Sequence, residues 1–202
     1  MSVKNLLLIG GGGHCYACID VIEAEAKYRI AGIVQPSADE QDAVWGYPIV
    51  GEDEDLPALL AQTRNALVTV GQIKSPETRK RLFGLLKQHG AHLPVIQSPT
   101  AYCSRYATLD EGCILMRASL ANANARIGAN CIINSQALIE HDAEISDHCH
   151  VSTGARVNGG VRIGQGCFIG SGAILKEGIE IGAGCVVLKD VPAGTTLRGQ
   201  RG

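Results

Sequence analysis

The chain has 202 residues, 46% of them apolar, with 19% charged residues and a formal net charge of -2. That length and apolar content suit one large globular domain or two small ones, and the near-neutral balance excludes a general electrostatic attraction to nucleic acid or to an anionic membrane. No apolar run approaches the ~18–20 residues needed to cross a bilayer, and the opening MSVKNLLLIGGGG lacks a signal peptide's small-residue cleavage pattern, so a cytoplasmic protein without a membrane span is expected.

Leu6-Leu7-Leu8-Ile9 is a short apolar run ending in Gly10-Gly11-Gly12-Gly13, and from His14 to Ala26 the residues Ile19, Val21 and Ile22 keep helical spacing. Strand, glycine turn and helix in succession open an α/β unit. Such a turn offers backbone N–H groups to an anion, although a tight turn alone would also call for glycine. The dinucleotide fingerprint G-x-G-x-x-G fails, because Cys15 stands where its last glycine belongs. Cys15 and Cys18 form a C-x-x-C, but with no second pair nearby a redox or metal role is not expected. Arg29 to Val34 and Ala66 to Val70 repeat the strand signal, and Ser75-Pro76-Glu77 opens a further helix that runs to about Gly90, with Ser75 as its N-cap. Val95 and Ile96 add a last strand, bracketed by Pro94 and Pro99 as a hinge. Residues 1–98 are expected to form a Rossmann-like α/β domain, and residues 99–202 a separate domain of a different, all-β kind.

From Ala101 the period changes to six. The third place of nearly every hexad from Leu109 to Val187 holds Leu, Ile or Val, and two places earlier a small or aliphatic residue recurs. Cys113, Cys131, Cys149, Cys167 and Cys185 repeat every 18 residues, a spacing that neither disulfides nor zinc sites need but that three hexads per coil produce. The pattern predicts about five coils of an all-β, left-handed parallel β-helix with a stack of reduced thiols in its core. The final coils look one hexad short between Ile181 and Val187.

One stretch breaks the repeat chemically. Between Asn134 and His150 stand Glu140, His141, Asp142, Asp147 and His148, none of which a purely structural coil requires. His141 occupies the fifth place of its hexad, away from the inward aliphatic place, and a neutral imidazole there can take a proton from an amine or hydroxyl. Asp142 or Glu140 can hold its other ring nitrogen and raise its basicity. Solvated corner residues, or a zinc site of His141, His148 and His150, are the competing readings.

The GGGGH start followed by hexads containing N-S-x-x-x-I-E-H-D resembles, over nearly the whole chain, the sugar acyltransferases that include bacillosamine-type nucleotide-sugar N-acetyltransferases and sialic-acid O-acetyltransferases. The resemblance implies acetyl-CoA as co-substrate, no metal, a nucleotide-linked amino sugar as acceptor, and a homotrimer with active sites between subunits. It makes His141 the general base and Asp142 the residue that raises its basicity. Asn134 would face the sugar, and Gly12, Gly13, His14 and Gly71 the nucleotide. Gln35-Pro36 stands where relatives often carry Asp-Asp, which puts Gln35 at the base contact. His150, Gly159, Ser171 and Ala183 would line the coenzyme groove. O-acetylation of a sialic-acid-like sugar and a non-catalytic, sugar-binding trimeric scaffold are the alternatives.

Overall fold

The run Leu6 to Ile9 is apolar at every position because both of its faces are covered. In the computed structural model, which describes residues 3–36 and 42–198, β1 (Lys4–Ile9) lies between β2 (Tyr28–Val34) and β5 (Ala66–Val68), parallel to both. Alternate side chains point to opposite sides. Leu6 and Leu8 meet Cys15, Cys18, Ile19 and Ile22 of α1 (Gly13–Glu25), while Leu7 and Ile9 meet Leu56 and Leu60 of α2 (Leu56–Gln62) and Leu82 and Leu86 of α3 (Glu77–Gln88). The C-x-x-C is thereby explained: both thiols are fully buried and free, and burial raises the pKa of each. The hairpin of β3 (Ala43–Val44) and β4 (Tyr47–Gly51) completes the sheet order β3-β4-β2-β1-β5. Since the chain places β2 on one side of β1 and β5 on the other, the loops leaving β1 and β5 diverge into a crevice at the carboxyl end of the sheet. Gly12, Gly13 and Gly71 line those two loops, and all three are exposed. Helix α3 starts at Glu77 with Pro76, not Ser75, at its N-cap; Ser75 still accepts from the Glu77 N–H through Oγ at 3.2 Å.

The strand at Ile96–Gln97 does not join this sheet. It pairs with Ile114–Leu115 and opens the solenoid, which makes six coils rather than five. Three parallel sheets form the sides of the left-handed prism. The first side carries Ile96, Ile114, Ile132, His150, Phe168 and Val186 outward, the second Tyr102, Leu120, Leu138, Arg156 and Ile174, the third Thr108, Arg126, Glu144, Arg162, Glu180 and Thr196. The predicted inward ladder from Ile127 to Val187 is buried, together with Cys113, Cys131, Cys149 and Cys167. The thiols bond along the stack: Cys131 N–H donates to Cys113 Sγ and Cys149 N–H to Cys131 Sγ, each at 3.4 Å. From Gly112 to Gly184 the sixth place of each hexad turns the corner in the left-handed conformation, at Ala118, Asn124, Asn130, Gln136, Asp142 and His148 and then at Gly154 to Gly184. Glycine takes that conformation at no steric cost, and Asn or Asp at a modest one.

The shortening falls later than the hexads suggest. The six-residue step is intact from Ile181 to Val187, and Val187 pairs with Ile169 at the usual spacing. The next two pairings, Leu175 with Val191 and Ile181 with Leu197, span 16 residues where the earlier ones span 18. The last coil is therefore cut by two residues, after the final cysteine.

The two halves share one core. Ile96, Ile114, Met116 and Ile132 of the first side pack with Cys18, Ile19 and Ile22 of α1. Arg79, 1% exposed, fastens them as well: Nη1 donates to Val70 O at 2.6 Å and Nη2 to Asn130 Oδ1 and O at 2.7 and 2.8 Å. A buried cation is tolerated there because carbonyl oxygens receive its protons.

Candidate active site

His141 and Asp142 close the corner between the second and third sides. Both are exposed, His141 at 64%, and Nδ1 of the imidazole lies 2.8 Å from Asp142 Oδ2. The corner conformation of Asp142 brings its carboxylate beside the preceding ring, and Asn124, one coil earlier, donates to its other oxygen at 2.6 Å. Of the two acids that flank His141, Asp142 is thus the partner. Glu140 instead accepts from Asn122 Nδ2 at 2.8 Å and from the backbone N–H of His141 at 3.2 Å. The bond to Asp142, helped by the charges of Asp142 and Glu140, raises the His141 pKa, and Asn124 first and His141 second lower that of Asp142. A neutral His141 then carries its proton on Nδ1 and presents a free lone pair on Nε2. Gly159, one coil further on, lies under the ring: a Cβ there would come within 2.9 Å of Nε2.

Asn134 and His150 meet elsewhere, near the corner between the first and second sides. His150 Nδ1 lies 2.7 Å from the backbone oxygen of Gln72, an acceptor only, so the proton sits on Nδ1. Nε2 then accepts from Asn134 Nδ2 at 3.0 Å, an orientation fixed by Ser135 N–H donating to Asn134 Oδ1 at 2.8 Å. Burial, opposed by the Gln72 bond and aided by Arg79, lowers the His150 pKa to about 4. The Gln72 side chain donates to Gly166 O and Cys167 O, both at 3.2 Å, tying the loop after β5 to the solenoid. His14, 6.3 Å from the His150 ring centre to centre, has its pKa lowered to about 3 by burial, then by Arg79 and His150, and its Nε2 has no partner among the described residues.

Of the remaining predicted positions, Gln35 is buried at 5% exposure, its Oε1 filling the space a side chain at Gly11 would need. Ser171 lies on the corner of Asn134, with Oγ 3.0 Å from Ser152 Oγ, and Ala183 on the third corner, stacked against Gly164. The predicted residues are thus distributed: Asn134, His150 and Ser171 border one edge of the second side, His141 and Gly159 the other, and Ala183 the corner opposite. The three histidines do not converge, since His148 turns to Asn130 Nδ2 at 3.0 Å and to the Phe83 ring, and among the described residues no group of three His, Cys, Asp or Glu is placed to hold a metal. Arg79 and Gln72 escaped the sequence reading. Arg79 was detectable, because it occupies the apolar stripe of α3 with Leu82 and Leu86.

Comparison with known proteins follows the same division. Residues 5–86 match the PglD N-terminal domain family and residues 160–188 the hexapeptide repeat of succinyl-transferase. No curated protein sequence matches the chain. Among solved structures, PerB of Caulobacter crescentus, in complex with CoA and GDP-perosamine, is 33% identical over 96% of this chain and 94% of its own, with a TM-score of 0.82. The same perosamine N-acetyltransferase is known in two variants with one histidine replaced, by Asn or by Ala, each holding CoA and GDP-perosamine. The acetyltransferase domain of PglB from Neisseria gonorrhoeae, in complex with acetyl coenzyme A, is 28% identical over 96% of each chain, with a TM-score of 0.80. WeeI from Acinetobacter baumannii, 22% identical with a TM-score of 0.73, shares the fold. Among the described residues no helix is long and apolar enough to cross a membrane.

Proposed function

The chain belongs to the hexapeptide-repeat sugar N-acetyltransferases, and from that premise we propose that it moves the acetyl group of acetyl-CoA to the amine of a nucleotide-linked amino sugar, a 4-amino-4,6-dideoxyhexose. The observation that carries this reading is the His141 and Asp142 pair, with Nε2 exposed and unobstructed above Gly159. Acetyl-CoA supplies an activated thioester. As the sugar nitrogen attacks its carbonyl, a C–N bond forms and Nε2 of His141 takes the amine proton. The C–S bond then breaks and the imidazolium returns that proton to the departing sulfur, so the coenzyme leaves as its thiol and His141 is neutral again. Asp142 keeps Nδ1 protonated and compensates the imidazolium that forms. Asn134, oriented by His150 and Ser135, offers its second amide hydrogen to the sugar. Gly12, Gly13, His14 and Gly71 border the nucleotide crevice, with Gln35 behind them, and His150, Gly159, Ser171 and Ala183 border the coenzyme path.

The proposed site is assembled by a homotrimer. The first side packs against α1; of the other two, the second is the more apolar, with Tyr102, Leu120, Leu138 and Ile174 outward beside Arg156, whereas the third carries alternating Arg126, Glu144, Arg162 and Glu180. A cyclic arrangement that covers the second side brings the His141 edge of one chain to the Asn134 edge of its neighbour.

The test mixes the protein with acetyl-CoA and a panel of guanosine-, uridine- and thymidine-linked amino sugars and follows free thiol. Acetyl transfer to at least one of them, lost in His141→Ala, is expected, with a product stable to mild alkali as an amide is. No thiol release above the His141→Ala background would refute the reading, and an alkali-labile product would make it an O-acetyltransferase.

A further inference from the structure

Trp45 is the sole tryptophan of the chain, and it occupies a position that suits it badly. Val44 pairs with Tyr47, so Trp45 and Gly46 form a two-residue hairpin turn, with φ of 47° and 81°. Positive φ at both central residues is the pattern of turns that favour Asn-Gly or Asp-Gly, and a bulky side chain is penalised at the first place. The ring is not repaid by burial, being 63% exposed. A residue that violates local preference and leaves its apolar surface in water points to a ligand.

The ring's surroundings identify that ligand. Val44, next to Trp45, lies against Gly11 of the loop leaving β1, and Tyr16, in the first turn of α1 after that loop, meets the Trp45 ring with centroids 5.1 Å apart at 59°. Tyr16 thus braces one part of the indole and leaves the rest open beside the glycine loop. Gln35 is buried behind Gly11 and exposes almost nothing to a ligand. We infer that Trp45, backed by Tyr16, is the stacking platform for the nucleobase of the nucleotide-sugar. The inference rests on the function proposed above and extends it to recognition of the carrier. Stacking reads a base through its π-face rather than its edge, so this chain accepts more than one base, purines by the larger contact.

Because the chain has one tryptophan, its emission reports on the platform without reference to catalysis. GDP and UDP are expected to change the fluorescence saturably, and pyrophosphate to leave it unchanged. In steady-state assays Trp45→Ala and Trp45→Asn are expected to raise KM for the nucleotide-sugar by about 5- to 150-fold, the equivalent of one lost base–aromatic stack. KM for acetyl-CoA stays as it was, and Trp45→Phe retains most of the affinity. Trp45→Asn separates binding from folding: Asn suits the turn, so its Tm does not fall although binding weakens. Emission unmoved by saturating nucleotide, an unchanged KM in Trp45→Asn, or a KM effect seen only together with a lowered Tm overturns the platform. Wild-type protein that changes its emission with nucleotide yet acetylates no nucleotide-sugar would sustain the platform and remove the transferase reading instead.

Discussion

Asp142 Oδ2 lies 2.8 Å from His141 Nδ1, and its second oxygen is held at 2.6 Å by Asn124 from the coil before. The bond sets both the tautomer and the basicity of His141, whose pKa is raised above its ordinary 6.5. A general base works deprotonated, so kcat/KM is expected to climb with pH through that raised value and level off above it. Asp142→Asn removes the charge, and the rise moves to lower pH while the plateau falls by about 10- to 100-fold. His141→Ala costs more, about 10²- to 10⁴-fold. A pH profile of kcat/KM for the two variants checks this; an Asp142→Asn rise at or above the wild-type pH refutes it.

Adjacent glycines carry different duties. A methyl at Gly159 meets the His141 ring at 2.8 Å, whereas at Gly160 nothing lies within 4 Å but φ is +67°. Gly159→Ala displaces the base and is expected to lower kcat/KM by about 10²-fold with little change in stability. Gly160→Ala strains the backbone and costs about 1–2 kcal/mol of stability, with activity largely kept at temperatures where the protein remains folded. Kinetics and thermal unfolding of both variants distinguish the two effects.

The solenoid was legible because each coil repeats the same demand, one inward aliphatic and one small residue per side, and the sequence records it six residues at a time. The start of the solenoid was not. Ile96–Gln97 reads like any short strand, and it is pairing, with Ile96 N–H donating to Cys113 O and Ser98 N–H to Leu115 O, each at 2.9 Å, that assigns it to the first coil. The place of the shortened coil was hidden likewise, since pairing rather than composition reveals a two-residue deletion. At the site, the polar break in the repeat marked His141, and the resemblance named Asn134 and Asp142; the residues alone left Asp142 and Glu140 open, and the corner geometry pairs His141 with Asp142. Gln72 carries no sequence signal, because its backbone oxygen is what orients His150.

His14 and His150 make stability depend on pH. Their folded-state pKa values, about 3 and about 4, lie below the 6.5 of an exposed imidazole, so between these limits the unfolded chain binds more protons than the folded one. Stability is complete above about pH 6.5 and falls as pH drops through 6 and 5, each histidine adding a slope approaching about 1.4 kcal/mol per pH unit. Urea unfolding at pH 7, 6 and 5 measures the slope. His150→Gln, which can keep one polar contact without titrating there, is expected to lower it by close to one proton's worth. An unchanged slope contradicts a buried neutral His150.

The separation of His141 from Asn134 and His150 across the second side supplies the sharpest test of assembly. If each active site takes its base from one chain and its sugar contact from the next, a His141→Ala chain still lends an intact Asn134 edge, and an Asn134→Ala chain still lends an intact His141. Each variant alone has no complete site. Unfolded together and refolded as mixed trimers, they contain complete sites wherever the two intact edges meet, and random mixing gives about a quarter of the wild-type rate. Mixing without subunit exchange gives nothing, which controls for residual activity. Recovery requires that the edges come from different chains, because no single chain in the mixture holds both. Refolded mixed trimers of normal size that remain inactive would refute a site shared between chains.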